Sequence, residues 1–180
     1  MPFDLQPVLP GKLLALRPLR KEDFSDIYAA AADPLIWEQH PAQDRYKEEV
    51  FKELFRESLE SDGALVAIDS HTAKIIGWSR FHGYDEDKSE IEIGWTFLAR
   101  SHWCGTYNRE MKQLMLRHAF RFVNSVIFVV GPQNMRSRKA VEKIGGVQVA
   151  TRPDARGWES IVYQITRSAF ERQSSIPSAT

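Results

Sequence analysis

The alternation of apolar and polar positions divides the chain into two kinds of element. From Glu90 to Leu98 the sequence EIEIGWTFL alternates with period two, the signature of a strand with one face buried. Two similar runs, Ala64 to Ile68 and Lys74 to Phe81, precede it, with DSHT and GYDEDKS as the turns between. Links this short predict antiparallel neighbours. Helical spacing marks other stretches. Phe24, Ile27, Tyr28 and Ala31 predict a helix that stops before Pro34, because a residue ahead of proline is pushed out of helical dihedrals. A second helix, Tyr46 to Ser61, sets Phe51, Leu54 and Phe55 on one face against Lys47, Glu48, Lys52 and Arg56 on the other. A third runs from Thr106 to about Phe122 with Met111, Met115, His118 and Ala119 on its stripe, and a fourth spans Asn134 to Ile144 before Gly145 and Gly146, which suit a left-handed cap. Short strands at 13–16 (closed by Pro18), 126–130, 147–150 and 159–165 complete the set. Residues 1–12, rich in proline, are expected to be irregular and the polar tail 169–180 disordered, which leaves one domain over 13–168.

The order is one strand, two helices, three meandering strands, a helix, a strand, a helix and two strands, an α/β (α+β) chain with a mixed sheet. Composition narrows what that sheet can serve. With 24 Lys and Arg against 24 Asp and Glu the net charge is zero, so no bulk field favours nucleic acid or an anionic membrane, and any anion site must be local. Apolar runs such as Ser125 to Gly131 fall far short of the roughly 20 residues a spanning helix needs. The single cysteine, Cys104, has no internal disulfide partner, and MPFDLQPVLPGK lacks the basic-then-apolar order of a signal peptide. A cytoplasmic protein is expected. His71, His82 and His102 fall in predicted turns without the spacing of a metal site, so no metal is expected.

Candidate chemistry concentrates on 89–120. A strand, a loop with Gly105 and a helix N-terminus together present free backbone N–H groups to an anion, with Arg100 ahead of the loop and Arg109 in the first turn. Glu90 and Glu92 share a strand face. Glu92 lies nearer the loop; a partly buried carboxyl there would have its pKa raised and could accept a proton, while a solvated strand face is the plainer alternative. Asn134 stands where it can cap a helix, and Arg136, Arg138 and Lys139 form a basic cluster for phosphate or solvent. Cys104, at a helix start near arginines, has the setting of an activated thiol, yet no partner spacing accompanies it. Trp37, Tyr84 and Trp158 are aromatic groups in predicted loops that suit either an acceptor pocket or hydrophobic plugs.

Two stretches carry a family resemblance. EIGWTFLARSHWCGTYNREM is similar to the strand, pyrophosphate loop and helix of GNAT-type N-acetyltransferases, with Cys104 and Thr106 where that loop usually has glycine. QNMRSRKAVEKIGG matches the family's later segment through Asn134, Ser137 and Gly145. With the element order, the sequence resembles the branch of ribosomal-protein alanine and other protein N-acetyltransferases. The resemblance implies a mostly antiparallel sheet of six to seven strands flanked by four helices, with acetyl-CoA as the donor. It implies that Phe97, Leu98 and Ala99 pair with the pantetheine arm, that Arg100 and the loop Cys104, Gly105, Thr106, Tyr107 and Asn108 meet the pyrophosphate, and that Asn134 bonds the arm, with Arg138 as a further contact. It gives Glu92 the role of general base and Ser137 that of proton donor to the thiolate. The acceptor is an amine of a protein N-terminus or a small molecule. Other readings are a non-catalytic acyl-CoA-binding or sensing module and, less favoured by the neutral charge, a nucleic-acid or protein-interaction module built on the 136–143 helix. A homodimer is open.

Overall fold

The computed structural model describes residues 2–103, 105–153 and 157–174. In chain order the strands are β1 (Leu9–Pro10), β2 (Leu14–Pro18), β3 (Ala64–Asp69), β4 (Ile75–Asp85), β5 (Glu90–Leu98), β6 (Ser125–Val130), β7 (Val147–Pro153) and β8 (Glu159–Thr166). The helices are α1 (Phe24–Ala31), α2 (Glu48–Glu60), α3 (Thr106–Ala119), α4 (Met135–Lys143) and α5 (Arg167–Ser174). The strands form one sheet in the order β1-β2-β3-β4-β5-β6-β8-β7. Every neighbouring pair is antiparallel except β5 and β6, which α3 connects as a crossover.

The alternating pattern places β5 at its expected bounds, and the four anticipated helices are present within a few residues of their expected ends. Two elements are additions. Leu9 and Pro10, expected to be irregular, pair with Leu16 and Ala15 as a two-residue edge strand, where proline's missing N–H costs nothing. A carboxylate from α3 holds this entry: Glu110 accepts the N–H of Lys12 (2.8 Å) at Oε1 and those of Leu13 (2.7 Å) and Leu14 (3.1 Å) at Oε2. The second addition is α5, which begins in the domain and carries the expected disordered tail onward as helix to Ser174. Phe170 packs on Phe120 at 5.2 Å, and Arg167 donates to the Val123 carbonyl at 2.8 Å. Residues 175–180 lie outside the described residues. His82 also differs: it lies within β4, which extends to Asp85, rather than in a turn.

Each sheet face has its own core. On one, Leu14, Leu16, Phe81, Ile91 and Ile93 pack with Met111 and Met115 of α3. On the other, α1 and α2 bring Ile27, Phe51 and Phe55 onto Trp78 and Phe97, with Phe51 and Trp78 stacked at 5.3 Å and Phe97 edge-on to Trp78 at 5.6 Å. Among the described residues this second core contains none of β6, β7 or β8. Toward those strands the same face turns polar, with Glu90, Glu92, Ser125 and Gln164 along it.

Candidate active site

The pairing of β5 with β6 stops early. Glu90, Ile91 and Glu92 pair with Ser125, Val126 and Ile127, and there the ladder ends, although β5 runs on to Leu98 and β6 to Val130. Beyond that point β6 stays with β8, through Phe128 with Tyr163 and Val130 with Ile161. β5 stays with β4, and the register between them shifts from Trp78 to Arg80, opposite Phe97 and Gly94. Within this irregular stretch Trp95 has a φ of 51°, a left-handed value for a bulky residue. A bulge of this kind bends a strand and interrupts its ladder. The result is a gap between two parallel strands, with a β5 edge free of β6 from residue 93 on.

That edge leads into the start of α3. A 3-10 turn at Arg100–His102 follows β5, and Gly105 then takes a φ of 85° as the cap residue. A Cβ on Gly105 would meet nothing within 4 Å, so backbone conformation rather than space is what favours glycine here. Among the described residues no side chain caps α3. The N–H groups of Thr106, Tyr107 and Asn108, which have no partner within a helix, are therefore available at the positive end of its dipole. An open strand edge that ends at an uncapped helix N-terminus fits a long arm with an anionic end.

Glu92 occupies the last paired position of β5, where the strands part. Its carboxyl lies over Gly94, where a Cβ would sit 3.0 Å from Oε1, and among the described residues it makes no hydrogen bond. Burial raises its pKa to about 7 against the opposing pull of Arg152 and Arg80. Glu90, two residues earlier, is engaged instead: its Oε2 accepts from Ser125 Oγ at 3.0 Å and from Gln164 Nε2 at 3.3 Å. Opposite Glu92 on β4, His82 is held toward the neutral form by burial and then by Arg80.

The sequence matches the family described as acetyltransferase (GNAT) domain over residues 14–147. The chain belongs to the GNAT acetyltransferase family. Its fold is shared with a GCN5-related N-acetyltransferase from Brucella melitensis (TM-score 0.80, 18% identity, 94% of this chain and 83% of that one). A GNAT-family acetyltransferase from Bacillus anthracis superposes with a TM-score of 0.73 at 20% identity, covering 89% of this chain and 99% of that one. Spermidine N-acetyltransferase from Vibrio cholerae, in complex with CoA and spermine, does so at 0.69 and 16% identity, covering 89% and 99%. No curated protein matches the sequence. As a GNAT enzyme the chain is an acetyltransferase whose family uses acetyl-CoA. Its sheet has eight strands and its helices number five among the described residues, more than the six to seven and four expected.

The structure brings some of the expected GNAT site residues to the gap and ties others elsewhere. Phe97 is buried in the second core and Leu98 in the first; the Leu98 carbonyl accepts from Trp103 Nε1 at 2.9 Å and the Ala99 N–H donates to Ile76 O at 2.7 Å. Arg100 forms an ion pair with Asp33. Cys104 lies outside the described residues. The Tyr107 hydroxyl donates to Asp69 at 3.3 Å, which turns its ring away from the loop it was expected to serve and leaves only its backbone N–H at the start of α3. Asn134 is buried and caps α4, its Oδ1 accepting from Ser137 N at 3.1 Å, while Ser137 stands half-buried one turn in. Arg138 donates to Tyr163 Oη at 3.0 Å and Pro132 O at 3.1 Å, which ties α4 to β8. No described group of three or more His, Cys, Asp or Glu could hold a metal ion, and no described helix is long and apolar enough to cross a membrane.

The aromatic candidates need correction. Trp37 is a plug, 3% exposed, with its indole N–H donating to Ala31 O at 2.8 Å and its ring 5.2 Å from Phe97. Tyr84 packs on Phe3 at 5.7 Å within the α3-side core, away from Glu92, because the register slips between His82 and Asp85. Trp158 is exposed just before β8. Glu92 is paired with His82 across β4 and feels Arg152 and Arg80 through space, while Trp95 packs against Arg80 and His82. Their signal in the sequence is a charge in mid-strand, within IIGWSRFHGYD, which a half-buried strand does not carry without cause.

Proposed function

We propose that this enzyme transfers the acetyl group of acetyl-CoA directly to an amine, on a small molecule or a protein N-terminus, with Glu92 as general base. The observation that carries the reading is a carboxyl with a pKa of about 7 and, among the described residues, no hydrogen-bond partner, at the point where β5 and β6 separate. A base poised near the working pH accepts a proton from an ammonium most effectively. The spermidine enzyme from Vibrio cholerae, with CoA and spermine bound, supports an amine acceptor on this fold.

Acetyl-CoA supplies an acyl carbon activated as a thioester. The N–H groups of Thr106, Tyr107 and Asn108 hold its pyrophosphate, and the free edge of β5 orients the arm in the gap. Glu92 takes one proton from the acceptor ammonium, which frees the nitrogen lone pair to form the amide as the carbon–sulfur bond breaks. Ser137 Oγ, in the first turn of α4, gives its proton to the departing sulfur and is reprotonated by the second proton that the nitrogen sheds as the amide forms. Asn134 fixes the start of α4 and so the position of that hydroxyl.

Incubation with acetyl-CoA and a mixed panel of amines and peptides, read by free-thiol release and by mass spectrometry of the products, tests this. An acetylated amine formed with stoichiometric thiol supports it. A raised melting temperature with acetyl-CoA but no thiol from any acceptor would assign a non-catalytic acyl-CoA-binding module instead.

A further inference from the structure

We infer that the acceptor carries a carboxylate close to the amine it presents to Glu92, and that Arg80, assisted by Arg152, recognises it. The inference rests on the transferase reading above and deepens it to a substrate class, an amino acid or a close homologue of one.

Arg80 sits in mid-β4, paired with Gly94 and 6% exposed. Its guanidinium lies 3.6 Å over the ring of Trp95. Its Nε and Nη1 have no hydrogen-bond partner among the described residues. A buried donor left unmatched is costly, and a charged one more so; a ligand that brings acceptor oxygens relieves that cost. Charges around it do not relieve it. Glu57 of α2 and Glu92 of β5 both act on Arg80 through space, yet neither forms an ion pair with it.

The wider field selects the sign of the ligand. Glu92 feels two guanidinium groups, Arg152 from β7 and Arg80 from β4, and Arg152 also acts on Lys88. Glu90 is taken by Ser125 and Gln164, and His82 is held toward its neutral form. One amine directed at Glu92 is accommodated here; a second positive charge on the same acceptor meets two arginines. A carboxylate beside the amine satisfies both, since its oxygens match guanidinium donors in charge and geometry. A polyamine does not.

The test compares kcat/KM for acceptors that share an amine: α-amino acids and their β- and γ-homologues, the carboxamide of each, the decarboxylated amine of each, and spermidine. The expected result is that an amino acid exceeds its amide and its decarboxylated amine by about 30-fold or more, the scale of a lost charge-assisted contact. Arg80→Gln should reduce that ratio to about 3-fold or less, and Arg152→Gln, at an exposed position, should reduce it by about 3-fold to 10-fold. If Arg80→Gln does not fold, the wild-type ratio and Arg152→Gln decide. An amide, simple amine or spermidine turned over as well as or better than any amino acid overturns the inference while leaving amine acetylation intact. Turnover of no amine at all overturns both.

Discussion

Two ionisable side chains lie on opposite sides of β5, Glu92 half-buried and Lys112 buried, and both are brought to a pKa of about 7, Glu92 from below and Lys112 from above. Burial is the first cause in each. Their surroundings differ. Lys112, from α3, is 5% exposed; its Nζ donates to Ser79 Oγ at 3.2 Å and to Thr96 Oγ1, and lies 5.5 Å from the ring of Phe128. Thr96 and Phe128 both lie beyond the last β5–β6 pair, so the amine spans the underside of the gap with two hydrogen bonds to hydroxyls. Glu92 lies on the other face, without a hydrogen bond among the described residues, and feels Arg152 and Arg80 through space. A perturbed titration therefore does not mark a catalytic group by itself. What distinguishes the two groups is whether their polar atoms are satisfied by the fold or left for a ligand.

Substitutions on the two faces sharpen or break that distinction. The largest effect is expected from Glu92→Gln, which should lower kcat by about 10²–10⁴-fold, the usual contribution of a general base, with little change in acetyl-CoA affinity by calorimetry. If Lys112→Met lowers kcat as much, the two faces are not different in kind. Instead Lys112→Met should raise stability at pH 7 by about 1–4 kcal/mol, since replacing a buried charge-capable group by an apolar one of similar volume removes its desolvation cost. The sign with pH follows from the same shift. The unfolded lysine titrates near about 10.4 and the folded one at about 7, so between those values the unfolded chain binds more protons and stability rises with pH. That rise should vanish in Lys112→Met when melting temperatures are compared from pH 7 to 10.

Smaller effects test the supports. Ser79→Ala removes one acceptor of the amine and should cost about 1–2 kcal/mol in urea unfolding at pH 7. Gly105→Ala meets no steric obstacle but must hold a left-handed φ, so it should cost about 1 kcal/mol and weaken acetyl-CoA binding several-fold. An unchanged dissociation constant for acetyl-CoA in Gly105→Ala would count against this loop as the pyrophosphate cradle.

Much of the fold was legible because its periodicities are strong: EIEIGWTFL marks β5 to the residue, and the Asn134 to Gly145 segment carries both its cap and its stop. Glu92 was legible as a face partner of Glu90; which of them stays free was not, because Glu90's partners, Ser125 and Gln164, lie 35 and 74 residues away. Lys112 is not part of the Met111, Met115, His118 and Ala119 stripe that marks α3, and only tertiary packing sets it against Ser79 and Thr96. Trp37 reads as a loop aromatic, and only the 3-10 turn after Asp33, whose carboxylate accepts from Leu35 N at 3.0 Å, turns it inward. Local pattern encodes elements; the parting of β5 from β6 arises from a bulge that no pattern records.

The most direct test of Glu92 as the base is the pH dependence of kcat/KM, measured for wild type and Glu92→Gln with an acceptor whose ammonium titrates well above pH 8. The wild-type value should rise about tenfold per pH unit below an inflection near 7, where the free enzyme's carboxyl ionises, and Glu92→Gln should be at least about 100-fold slower with that inflection gone. A variant that keeps the wild-type rate and the inflection near 7 would contradict the role assigned to Glu92.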